Sequence, residues 1–253
     1  MTGAEDIITA LALPADTRLD QRIAKKLLLE NGAPTAADRR GINEGIEDLV
    51  WVAALKPTNI GVPTFRDETR EYLEIAVLRL NLRPAAKRPR LMELVHRAVP
   101  YPVLLVTEQE GEVEISTSGK RWAQSQAGKT VLDGAPVAVV EAVDLAHEVR
   151  AAFRSALALD RQPPASLRSL YEGWEEALVA LRAAKLTGTF AMPISTQQTA
   201  ARRDSLAAFT RLDAEIAQLR TAAARERQMA RRVALNLEIQ RLQAARAAAQ
   251  ADL

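Results

Sequence analysis

The segment AQSQAGKT, residues 123–130, matches a phosphate-binding GxxxxGK[ST] loop at every fixed place except the first, where Ala123 stands for glycine. Such a loop works only where it leaves a strand and opens a helix, so that backbone amides and the helix N-terminus face the anion. Here Thr130 runs into VLDGAPVAVV, a turn and then a strand, so the segment is read as an ordinary hairpin loop. A metal-dependent nuclease of the restriction fold needs an acid ahead of a strand bearing Glu-x-Lys, the carboxylates holding a divalent ion. RDETREYLEIAVLRL offers Asp67 and Glu74, but the lysine place holds Ala76. The pattern fails where the chemistry needs a cation, and the pair is expected to be solvent-facing acids, a degenerate nuclease being the alternative reading. His96 in LVHRAVP and His147 in LAHEVR have no second histidine or spaced carboxylates beside them, and both are read as helix-surface or helix-terminus residues. With no cysteine there is no thiolate ligand, cysteine nucleophile or disulfide. No catalytic residue, metal or cofactor is expected.

Basic groups recur at Lys25-Lys26, Arg39-Arg40, Lys87-Arg88-Arg90 and Lys120-Arg121. Converging, they would neutralise a phosphate backbone, which makes Lys25, Lys26, Lys87, Arg88, Arg90, Lys120 and Arg121 the candidate nucleic-acid contacts. Acids at Glu44, Glu47, Asp48, Glu108, Glu110 and Glu112 intervene, and a solvated mixed-charge surface is the default. Overall, 34 Lys+Arg against 32 Asp+Glu excludes a strongly cationic protein, so the distribution of charge decides. Residues 201–253 carry ten arginines against six acids, while the preceding part is slightly acidic.

The elements that must position these groups are mostly helical. Alanine, leucine and arginine are abundant and aromatics make up only 4%, which argues against an all-β sandwich. Ala4–Leu13 predicts a short helix ended by Pro14; Asp16 or Thr17 then caps a second, basic helix through Leu29, stopped at Asn31-Gly32. A third helix begins near Thr35 and gives way to a buried strand from Leu49 in LVWVAAL. Tyr72–Leu82 alternates as a second strand, and the linker RPAAKRPR leads to a helix with Leu91, Leu94, Val95 and Ala98. YPVLLVTEQEGEVEIS reads as strand, turn at Glu110-Gly111, and alternating strand, and a last strand is expected at Ala135–Val143. The prediction is an α+β fold: a small mixed or antiparallel sheet with covering helices over residues 1–143, then a helical connector over 144–192.

Residues 193–253 form the third region. After Pro193 neither proline nor glycine occurs, and Thr199–Gln250 predicts one long coiled-coil-like helix or a helical hairpin folded in AAARERQMARR. Leu212, Ile216, Leu219 and Ala223 are spaced 4, 3 and 4, as helix-on-helix packing demands. Farther on, Val233 and Leu237 share one face while Leu235, Ile239 and Leu242 share another. So wide an apolar surface needs a partner, and Leu212, Ile216, Leu219, Val233, Leu237, Ile239 and Leu242 are the candidate partner-binding residues. The arginines of this region are read as the polar flank of that packing, phosphate contacts being the alternative. No stretch approaches a spanning helix, and a soluble cytoplasmic protein without membrane contact is expected.

Four pieces in this order resemble an uncharacterised bacterial family, domain of unknown function 4391: LP-x-x-T with its basic helix (Leu13, Pro14, Thr17, Lys25); IEDLVWVAALKPTNI; AVPYPVLLVTEQEGEVEIS with GKR; and RERQMARRVALNLEIQRL. The resemblance spans nearly the whole chain. It implies a non-catalytic accessory subunit, since such members are often encoded beside helicase-type ATPases and DNA methyltransferases in restriction or antiphage clusters. The implied partner is one of those subunits or a second copy, with DNA contact possible. The family has no known catalytic residues, and none is carried over.

Overall fold

The computed structural model describes residues 3–123 and 130–253, and divides the chain into two compact units, Met1–Leu178 and Val179–Leu253. In chain order the first unit comprises α1 (Ala4–Ala10), β1 (Arg18–Arg22), α2 (Lys25–Asn31), α3 (Ala36–Gly45), β2 (Ile46–Leu55), α4 (Pro57–Ile60), β3 (Phe65–Arg66), β4 (Glu71–Tyr72), β5 (Ile75–Leu82) and α5 (Arg88–Ala98). β6 (Val103–Gln109), β7 (Glu112–Ser118), β8 (Lys120–Trp122), β9 (Thr130–Leu132), β10 (Val137–Glu141) and α6 (His147–Leu157) follow. α7 (Leu167–Thr187) begins in the first unit and ends in the second, where it is followed by α8 (Thr196–Arg225) and α9 (Met229–Ala251).

Six strands form the main sheet in the order β1-β2-β5-β6-β7-β10. Only β5 and β6 are parallel, because α5 carries the chain from the end of one to the start of the other; every other neighbouring pair is antiparallel. The sheet is therefore mixed and the fold α+β. One face carries Leu78, Leu80, Leu82, Val103 and Leu105, packed with Leu28 of α2, Ile42 of α3 and Leu91, Leu94 and Val95 of α5. Residues of the opposite parity, Ile75, Val77, Leu104 and Val106, are also fully buried, and α1 packs on β6 and α6. Covering on both faces explains why β5 and β6 read as nearly unbroken apolar runs.

Local chemistry sets the element ends. Thr35 caps α3 by accepting the Asp38 amide at 3.1 Å. Glu110 and Gly111, both at positive φ, make the two-residue turn between β6 and β7. α7 keeps Gly173 because a Cβ there would meet Gln162 Oε1 at 2.6 Å and the Pro163 ring at 2.7 Å. Gln162 cannot withdraw freely, since its Nε2 donates to the carbonyls of Ala156 and Ala158. Two fully buried aromatics of the same helix reach out to backbone: Trp174 Nε1 donates to Leu157 O at 2.8 Å, and the Tyr171 hydroxyl donates to Val103 O and accepts the Ser118 amide.

Two expectations change. The basic helix expected from Asp16 or Thr17 to Leu29 is split: Arg18–Arg22 is an edge strand, and only Lys25–Asn31 is helical. The backbone pairing of β1 with β2 overrides a sequence with no apolar alternation, and its register is interrupted by a bulge between Arg18 and Gln21, where Asp20 has φ +46°. The buried strand expected from Leu49, here β2, starts at Ile46, three residues earlier, its extended backbone following directly on the end of α3 at Gly45. The boundary between the two compact units falls within α7, after Leu178.

Candidate functional site

The second unit is built on a helical hairpin. α8 and α9, 30 and 23 residues long, are joined by residues 226–228, so the chain folds back in the predicted charged segment. Ile216, Ala223 and Ile239 are buried together, with Leu219, Leu235 and Leu242 packed against them. On α9 the seam positions 235, 239, 242 and 246 repeat the 4-3-4 spacing of 212, 216, 219 and 223 on α8. The last place is taken by Arg246, whose guanidinium pairs with Asp213 and lies 5.5 Å from the Phe209 ring centroid. Farther along, Gln250 Nε2 donates to Leu186 O at 2.7 Å, tying the end of α9 to the end of α7.

Of the seven apolar residues singled out for partner binding, five have a place inside this unit. Leu212, Ile216 and Ile239 are buried, and Leu219 and Leu242 are partly buried in the seam. Val233 and Leu237 are left out: Leu237 is 62% exposed and Val233 49%, with Met229 equally bare at 64%. These three lie 4 and 4 residues apart, one stripe along the outer side of α9. The two faces that the sequence assigned to α9 are thus used differently, one closing the hairpin and the other open.

The proposed nucleic-acid residues of the first unit do not form a common surface charge. Lys120 is 1% exposed, and its ammonium donates to His96 O and Val99 O, at 2.7 Å for the latter. It leaves the set, since no phosphate can reach it; burial brings its pKa down to about 8. Arg90 forks onto Asp38 at 2.8 and 2.9 Å and also meets Glu93; the Arg90 hydrogen bond holds the Asp38 carboxyl well below the usual carboxylate range. Arg88 binds Gln109 Oε1 at 2.8 Å and lies near Glu112 and Glu114. Lys25 donates to the carbonyls of Asn43 and Ile46, Lys26 faces Glu30 at 3.7 Å, and Arg121 lies 3.9 Å from Asp133. Lys87 alone of the seven stands exposed with no ion pair among the described residues.

Of the acids and histidines singled out, Asp67, Glu74 and His96 are each held by neighbours. Asp67 Oδ1 accepts the amides of Thr69 and Arg70 at 2.7 and 2.6 Å, pinning the turn between β3 and β4, and these bonds lower its pKa. Glu74 is buried rather than solvent-facing, and Lys56 meets it at 3.1 Å. His96, read as a surface residue, is fully buried: its Nε2 is 2.9 Å from Ser116 Oγ, and burial brings its pKa down to about 3. The missed signal is a second apolar stripe, Met92, His96 and Val99, beside the one counted. His147 stands exposed at the start of α6. Among the described residues no three of His, Cys, Asp and Glu stand close enough to hold a metal ion. Most of the phosphate-loop-like segment, residues 124–129, lies outside the described residues; Thr130 after it opens β9 and not a helix.

The arginines of residues 201–253, read from the sequence as the polar flank of helix packing rather than phosphate contacts, include a group at the hairpin tip. Arg220, Arg225, Arg227, Arg231 and Arg232 are all exposed, with only Glu226 among them, and no ion pair joins any of the five to a carboxylate among the described residues. The signal was available: none of them has an acid three or four residues away, whereas Arg241, farther along α9, has Glu238 at 3.7 Å.

No helix of the described residues is long and apolar enough to cross a membrane. No curated protein and no solved structure matches the chain. One family model does, over residues 11–245, which takes in the sheet, α7 and nearly all of the hairpin. The chain belongs to the family described as domain of unknown function (DUF4391).

Proposed function

We propose that the protein is a non-catalytic accessory subunit of a bacterial DNA-modifying or antiphage assembly, and that its α9 helix holds a large enzyme subunit of the helicase or methyltransferase type. The observation that carries this reading is the bare row Met229, Val233 and Leu237. A hairpin needs one seam, and this one already has it in the Ile216 and Ile239 cluster. A second apolar row on the opposite side contributes nothing to closing the pair, while covering what remains exposed of each side chain would release roughly 1–2 kcal/mol. Supporting the non-catalytic part, Asp67, Glu74, His96 and Lys120 are each held by a partner that serves the fold. The company of helicase-type and methyltransferase-type genes is what the family resemblance implies.

The test is capture from the native host with tagged full-length chain, wild type against the Val233→Glu, Leu237→Glu double variant. Wild type is expected to retain a helicase-type or methyltransferase-type subunit, identified by mass spectrometry, and the variant to lose it with unchanged melting temperature. Equal capture by both overturns the reading. A dimer in light scattering that the variant dissolves would hand the stripe to a second copy instead.

A further inference from the structure

We infer that the tip of the α8–α9 hairpin is a docking site for the phosphate backbone of double-stranded DNA. Five arginines fall within residues 220–232: Arg220 and Arg225 on the last turns of α8, Arg227 in the link, and Arg231 and Arg232 in the first turn of α9. All five are exposed. The single acid among them, Glu226, is turned to a local task, accepting the Gln228 amide at 2.8 Å.

The arrangement works against the isolated hairpin. Like charges repel, and two of the arginines sit at the N-terminal end of a helix whose first turn holds no acid. Several arginines elsewhere in the chain are neutralised, Arg246 by Asp213, Arg154 by Glu141 and Arg90 by Asp38, whereas the tip gathers five in thirteen residues with no such pair among the described residues. Five arginines against one carboxylate leave a local surplus of four positive charges, complementary to an anion of high linear charge density, and duplex DNA carries one charge per roughly 1.7 Å of axis. The guanidinium fork matches phosphate oxygens two at a time.

Composition of the tip selects the source of those phosphates. Single strands and RNA loops are held by stacking bases on aromatic rings, and residues 220–232 contain no aromatic. The nearest ring, Phe209, is already covered by Arg246. A membrane surface needs a broad apolar face with aromatic anchors beside the cations, whereas here there are alanines and the single row Met229, Val233 and Leu237. Backbone contact without base readout is what remains, so binding should be indifferent to sequence and steeply dependent on salt. The site adjoins the apolar stripe at Met229, to whose sulfur Arg232 donates at 3.2 Å, but its arginines are not the residues changed in the Val233 and Leu237 test, so either assignment can fail alone.

The experiment is fluorescence anisotropy of the full-length chain on a labelled duplex of about 30 base pairs across roughly 50–200 mM salt. Five phosphate contacts predict a loss of roughly 500-fold in affinity over that range. Arg225→Ala, Arg227→Ala, Arg231→Ala and Arg232→Ala together should abolish most binding and flatten the salt slope to about −1. The same four positions changed to lysine should keep the slope, and Lys26→Ala with Lys87→Ala should leave binding unchanged. Circular dichroism checks that helix content is retained. The inference is overturned by duplex binding equal in wild type and the alanine variant, by no binding of wild type, or by tighter binding to single-stranded DNA, to phosphatidylserine vesicles or to polyglutamate than to the duplex.

Discussion

The sheet unit and the helical hairpin handle charge in opposite ways. In the sheet unit most singled-out ions are spent within a few ångströms: Glu141, whose side chain is wholly inaccessible, is clasped by Arg154 at 2.7 and 3.0 Å, and Arg90 forks onto Asp38. In the hairpin Arg246 pairs with Asp213 across the two helices, while the run of arginines at the tip has no ion pair among the described residues. Charges committed to neighbours hold a fold in place. Those left over are free to meet something else, which is why the hairpin, and not the sheet with its longer roll of basic residues, carries the interaction proposals.

That contrast can be broken by removing partners, and the largest effect is expected in the sheet unit. Arg154→Ala leaves Glu141 buried without its cation and should cost about 3–5 kcal/mol in denaturant unfolding; a loss below about 1 kcal/mol would mean that the pair is not holding β10 to α6. Next is the pH response. The unfolded chain keeps Lys120 protonated to about 10.5, while the folded chain releases that proton from about 8, so the folded state is favoured as pH rises through this window. The gain should be about 3 kcal/mol, and Lys120→Met should remove it. His96 sharpens the acid side: neutral in the fold down to about 3 but protonated below 6.5 when unfolded, it should make stability fall as pH drops below 6.5.

A middle-sized effect tests packing rather than charge. Gly173→Ala drives a methyl into Gln162 and Pro163 and should lower stability by about 1–3 kcal/mol, although alanine is the better helix former. At the small end, Arg231→Ala with Arg232→Ala should leave the melting temperature unchanged or raise it slightly, since each removes a cation from a helix N-terminus worth about 0.3–1 kcal/mol. A clear fall in melting temperature would show that the tip arginines serve the fold after all.

Much of this architecture was legible in the residues, and the exceptions have physical causes. The β6–β7 hairpin announced itself through the Val113 and Ile115 alternation and a Glu-Gly turn. The return of α9 along α8 was open as one of two forms, because a 4-3-4 seam fits a separate helix as well as a neighbour joined by three residues. β1 was not legible: all five of its side chains are exposed, so period-2 burial leaves no trace, and only backbone pairing with β2 makes it a strand. Lys120 and His96 looked like surface residues because residue type alone suggests exposure, while their burial depends on carbonyls and a serine brought in from other elements. Identity of the charged residues could be read; which of them had found a counterion required the fold.

The bulged outer strand has a consequence for the molecule in company. Its sequence, RLDQR, places Arg18, Asp20 and Arg22 at the rim of a sheet that would otherwise offer free amides and carbonyls to any extended chain. The kink at Asp20 spoils the straight ladder an incoming strand would need, and the ions on either side of it repel a second rim of the same kind. This border is therefore guarded against fibril-like growth, and a crowded solution of the protein should not stack sheet to sheet along it.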